Sequence, residues 1–112
     1  MNHGLSKRDL DEITDALRSF PEIEEAILFG SRAKGCYKPG SDVDIAIKGG
    51  TIEQSCVSRL SYMLNEESSL PYFFDIVHFE QISERELVEH IERVGRQIYG
   101  QKNTSPKNDT GR

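Results

Sequence analysis

The 112-residue chain has no tryptophan, two cysteines, three histidines and fewer basic than acidic residues, 14 against 19. Each scarcity removes a class of explanation. Cys36 and Cys56 have neither C-x-x-C nor metal-ligand spacing, so they are expected as reduced thiols rather than a disulfide or zinc pair. His3, His78 and His90 are scattered along the chain and suggest no zinc site. A net charge of −5 opposes a protein that grips nucleic acid by neutralising phosphates, so no direct nucleic-acid partner is expected. No apolar run approaches the roughly 20 residues that span a bilayer. The opening M-N-H-G-L-S-K-R-D has no apolar stretch after its basic residues, unlike a secretory signal. A cytoplasmic location, with no membrane partner, is the expectation. The pattern G-x-x-x-x-G-K-[ST] is also missing, which disfavours P-loop kinases and NTPases.

What the chain does have is concentrated between Gly30 and Ile45, in G-S-R-A-K-G-C-Y-K-P-G-S-D-V-D-I. Gly30-Ser31 is followed, after ten intervening residues, by Asp42-x-Asp44. Strand alternation puts Asp42 and Asp44 on one face and Val43, Ile45 and Ile47 on the other. Two carboxylates about 7 Å apart along a strand can share divalent cations. A Gly-Ser turn offers N–H groups and a hydroxyl to phosphate oxygens. The combination describes a site for a metal–nucleotide. Asp42 and Asp44 could instead cap the turn after Pro39-Gly40, but that leaves Asp44 unexplained inside an apolar strand, where an unpaired carboxylate is costly. Asp75, flanked by Phe73, Phe74, Ile76 and Val77, is either a third ligand or half of a buried salt bridge. Ser31 is either a phosphate ligand or a helix N-cap, roles that are compatible. Arg32 and Lys34 either neutralise phosphate or sit as solvated charges.

The surrounding pattern alternates helices and strands. A helix is expected from Ser6 with the stripe Leu10, Ile13, Leu17 and Phe20, closed by Pro21. Strands are expected over Ile23–Phe29, Val43–Lys48 and within Pro71–Phe79, with a single helical turn over Ser31–Gly35. Thr51 with Gln54, and Ser83 with Glu86, read as capping boxes. The first opens a helix to about Glu66. The second leads a helix through Leu87, Ile91, Val94 and Ile98 to Gly100. The fold class is α/β, a small mixed sheet with helices packed on one side and the opposite face open or covered by something else. Residues 1–100 form one domain, and 101–112, lacking any apolar residue, are expected to be a disordered tail.

Over about residues 5–100 the sequence resembles the nucleotidyltransferase superfamily with the DNA polymerase beta palm fold, and most of all its minimal single-domain branch. The strand Ala26–Phe29, the Gly30-Ser31 turn, Asp42-x-Asp44 and Asp75 on a later strand carry the likeness. The resemblance implies two Mg²⁺ ions held by Asp42, Asp44 and Asp75, with ATP as substrate bound through Gly30 and Ser31 and the charges of Arg32 and Lys34. It also implies the antitoxin role of a toxin–antitoxin pair, in which AMP passes to a hydroxyl of a helical HEPN-domain ribonuclease encoded nearby. A chain of this length has no room for the acceptor-binding domain of larger relatives, which favours a protein acceptor. Two alternatives stay open: a non-catalytic antitoxin that masks its partner by binding, and a small-molecule nucleotidyltransferase completed by a separate helical subunit.

Overall fold

The computed structural model describes residues 3–101. Helix α1 spans Lys7–Arg18, and its start is a capping box: the Asp9 N–H donates to Ser6 Oγ (3.0 Å) and the Ser6 N–H to Asp9 Oδ2 (3.1 Å). Strand β1 covers Glu25–Phe29, the short helix α2 Gly30–Lys34, and strand β2 Val43–Lys48. Helix α3, Gln54–Tyr62, runs on as a π-helical turn over Met63–Glu67. Strand β3 is Phe74–His78, helix α4 Arg85–Val94 and strand β4 Arg96–Gly100.

The four strands lie in the order β3-β2-β1-β4. β1 is antiparallel to β2 and β4, and β2 is parallel to β3, so the sheet is mixed as expected. Alternation sorts β1 and β2 into two faces. Ala26, Leu28, Val43, Ile45 and Ile47 join Ile13 and Leu17 of α1 and Cys56 and Leu60 of α3 in the main core, most of them fully buried. Phe29 and Ala46 face the other way and pack with Ile91 of α4.

The mixed sheet with packed helices is as expected, and that second cluster refines which face they cover, since the opposite face was expected to be open or covered by something else. α1 and α3 share one face, whereas α4 covers part of the other. The last helix is also shorter than its apolar periodicity suggests. It stops at Val94, where Gly95 turns to extended backbone (φ −63°, ψ 149°) in a spot with no space for a Cβ beside the Ile91 carbonyl and Ile27. Ile98 therefore belongs to β4, an edge strand paired with β1, and not to a helix.

Neither later capping box forms. The N-caps are Glu53 and Glu84, both extended and without a side-chain cap hydrogen bond. Gln101, expected in the tail, is held to the domain. Gln101 donates through its side chain to the carbonyls of Pro21 and Ile23 (both 2.8 Å) and through its N–H to Glu24 (3.0 Å). The rest of the expected tail, 102–112, lies outside the described residues.

Candidate functional site

Three strand ends and one turn meet at the edge of the α4-covered face. In the parallel β2–β3 pair, Asp44 stands directly opposite Asp75. In the antiparallel β1–β2 pair, Asp44 stands opposite Phe29, the residue before Gly30. The sheet register thus brings Asp44, Asp75 and the Gly30–Ser31 turn together, although they are far apart in sequence. Asp42, two residues before Asp44, is exposed, as is Asp75, while Asp44 is half-buried.

Burial raises the pKa of Asp44 above its ordinary value, and the carboxylates of Asp75 and Asp42 push it in the same direction. A cluster of like-charged oxygens that repel one another is the donor set a hard divalent cation neutralises. Among the described residues, no three His, Cys, Asp or Glu side chains are gathered into a finished cation cage. The fit to Mg²⁺ therefore rests on the oxygen donors and their mutual repulsion, not on a closed ligand shell. Asp75 enters no ion pair among the described residues, so the salt-bridge reading of that residue finds no support.

Gly30 has φ +79° and begins α2 directly after β1. A Cβ at this position would run into the Asp44 carboxylate. Only glycine brings the turn this close to the acid without strain. The Gly30 N–H donates to His90 Nε2 on α4 (3.2 Å), and the His90 ring meets Phe29 edge-on with centroids 6.1 Å apart. His90 is the residue that sequence reading passed over. Its signal was present, since Leu87, His90, Ile91 and Val94 fall on one helical stripe aimed at the sheet. Ser31 is half-buried, and its carbonyl accepts the Cys36 N–H (3.0 Å), closing the turn.

Arg32 lies elsewhere than expected. Only 2% of it is exposed. Its Nε and Nη2 donate to the Ser41 carbonyl (3.2 and 3.0 Å), and its Nη1 donates to the His3 carbonyl (3.0 Å). The guanidinium also lies over the rings of Tyr37 and Tyr72, at 4.9 and 4.8 Å from their centroids. These contacts turn it away from a phosphate role: it anchors the loop that delivers Asp42 to the start of β2. Tyr37 is occupied in the same stack. Lys34 is exposed on the last turn of α2, where a cation remains available to an anion.

Residues 11–104 match the family model described as Polymerase beta, Nucleotidyltransferase. No curated protein matches the sequence. Among solved structures, a chain of a toxin–antitoxin complex crystallised with AMP-PNP superposes with a TM-score of 0.70 at 25% identity, over 85% of this chain and 76% of that one. A chain of the MntA–HepT toxin–antitoxin complex gives 0.66 at 22% identity, over 88% and 75%. A chain of the complex between a tri-AMPylated HEPN toxin of Shewanella oneidensis and its MNT antitoxin gives 0.63 at 23%, over 84% and 71%. The last two likenesses concern the fold.

Proposed function

Because this chain belongs to the polymerase beta nucleotidyltransferase family, we propose that it is an antitoxin that transfers AMP from ATP to a side-chain hydroxyl of a HEPN-domain toxin. The single observation that carries this reading is the placement of Asp44 beside Asp75, against a glycine turn whose geometry admits no side chain. A protein that only masks its partner has no use for mutually repelling carboxylates at the end of a sheet. The solved relatives add weight, one holding AMP-PNP and another pairing an MNT antitoxin with an AMPylated HEPN toxin.

In the proposed reaction the acceptor oxygen attacks the α-phosphorus of ATP. An O–P bond forms, the bond from that phosphorus to the bridging oxygen breaks, and pyrophosphate leaves. Mg²⁺, when bound, lowers the pKa of the acceptor hydroxyl and stabilises the leaving pyrophosphate. Asp42, Asp44 and Asp75 are the residues that would hold it. Asp75 would also receive the hydroxyl proton. Ser31 supplies a hydroxyl to a terminal phosphate oxygen and Lys34 a positive charge. Gly30 lets the phosphates approach the carboxylates closely. Its N–H is engaged by His90, so its contribution is shape, with the hydrogen bond to phosphate coming from Ser31.

Titration of AMP-PNP with and without magnesium, followed by incubation with α-phosphate-labelled ATP and the HEPN-domain protein encoded beside this chain, tests the proposal. Wild type is expected to bind the nucleotide in a metal-dependent way and to label the partner. Asp44→Asn is expected to do neither. Neutralisation of the toxin without label on it would favour the masking alternative.

A further inference from the structure

Among the described residues β3 is an outer strand, with β2 as its only neighbour in the sheet. The outward backbone groups of an edge strand are a template for another extended segment. Part of this edge is sealed: the Phe74 N–H donates to Asn65 Oδ1 (2.7 Å), and Asn65 Nδ2 donates to the Phe74 carbonyl (3.0 Å). The Phe73 carbonyl, by contrast, faces β2 and accepts the Val43 N–H (2.9 Å). Alternation then turns the backbone of Ile76 outward, like that of Phe74. No side chain among the described residues plays for Ile76 the part Asn65 plays for Phe74.

Two cavities of about 510 and 490 Å³ flank this edge and share Gln54, Val57 and Ile76, forming one trough between α3 and β3. At one end stand Tyr62 and Phe73, which are 57% and 59% exposed. The same end is lined by Glu66 and Asp75, and neither cavity has a lysine or arginine in its wall. The trough is therefore mixed, with Gln54, Gln81 and His78 toward one end and an aromatic, acidic wall at the other, and through Asp75 that acidic end is continuous with the row of carboxylates.

We propose that this trough receives a short extended segment of the acceptor protein, paired through its backbone with Ile76. Its apolar side chains rest on Tyr62 and Phe73, and its cationic side chains face Glu66. Such docking delivers a hydroxyl next to Asp75 from the side opposite the Gly30 turn, leaving the nucleotide's approach clear. The inference rests on the AMP-transfer reading for its occupant, but docking and transfer fail separately.

The test uses two variants of the full chain, Ser58→Arg and the double substitution Tyr62→Ala/Phe73→Ala. All three side chains line the trough and are exposed, so the fold tolerates their change. The HEPN-domain protein encoded beside the chain is titrated against each variant, and AMP-PNP with magnesium serves as the control. Partner binding is expected to weaken about tenfold or more, since a new cation opposes a cationic segment and lost aromatics remove its apolar seat. Nucleotide affinity is expected to stay at the wild-type level. Amide exchange at Ile76 should slow in the wild-type complex. Wild-type partner affinity in both variants would overturn the proposal. So would a wild-type dimer that either variant converts to monomer with partner binding unchanged, because a second copy would then occupy the trough. If wild type transfers no AMP yet both variants lose the partner, the docking surface stands and the transfer reading falls.

Discussion

Val43, Ile45 and Ile47 alternate with Asp44 and Ala46 on one strand, and the two faces follow opposite physical rules. On the α1/α3 face every strand residue of β2 is fully buried among apolar neighbours. On the α4 face, Ala46 is buried beneath Ile91, but Asp44 lies at the open end against two other carboxylates. One face holds the domain together. The other gives up stability to keep anionic oxygens close together at its rim. Function in this fold is written on the residues that the core does not need.

The comparison predicts that neighbouring substitutions on β2 separate activity from stability. The largest effect belongs to Asp44→Asn. Transfer of labelled AMP should fall by about a thousandfold or more, a loss on the scale of several kcal/mol of barrier. Thermal melts without metal should show the variant at least as stable as wild type. Wild-type transfer by this variant would break the division between faces.

Ile45→Ala, one residue along, should do the reverse. The cavity left in the main core is expected to cost about 2–5 kcal/mol in urea unfolding. At low temperature, where the variant stays folded, its affinity for AMP-PNP and magnesium should remain that of wild type. A selective loss of nucleotide binding would show that the two faces are coupled.

Arg32 sharpens the boundary, because it sits in the site's sequence motif but in the protein's interior. Arg32→Ala should lose about 1.5–3 kcal/mol of stability, the range for hydrogen bonds from a charged group. Arg32→Lys should recover little, since an ammonium cannot reproduce the forked bond to Ser41 or lie flat over Tyr37 and Tyr72. If Arg32→Lys instead melted like wild type and bound AMP-PNP less tightly, the guanidinium would be a phosphate ligand after all.

The smallest effect is on pH dependence. The folded protein raises the Asp44 pKa, so it holds that proton more tightly than the unfolded chain does. Metal-free stability should therefore decline as pH rises from the ordinary carboxylate value through the raised one, and level off above it. Asp44→Asn should flatten the curve, and saturating magnesium should reverse its slope, because the cation binds the ionised carboxylate in competition with the proton. Urea midpoints across that window provide the check.

The division between faces was largely legible in the sequence, because period-two alternation through Val43–Lys48 assigns each side chain to a face without further information. The pairing of Asp44 with Asp75 could only be anticipated, since register across a parallel strand pair depends on packing that no local pattern encodes. β4 was missed for a related reason. Val94 and Ile98 continue the helical spacing of Leu87 and Ile91, and the close approach of Gly95 to Ile27 of β1 is tertiary. Arg32 was misjudged because a basic residue beside a Gly-Ser turn looks the same in sequence whether it meets a phosphate or a carbonyl. His90 lay on a visible stripe, yet nothing local reveals that its acceptor nitrogen meets the Gly30 N–H.

Intact-mass spectrometry of the proposed HEPN-domain partner tests the central claim most directly. The partner is incubated with ATP, magnesium and either wild type or Asp44→Asn. Wild type should shift the partner's mass by one or more whole AMP groups and leave its own mass unchanged, while Asp44→Asn should leave both masses as they were. A partner silenced by wild type with its mass unaltered would contradict the account and make this chain a mask instead of an enzyme.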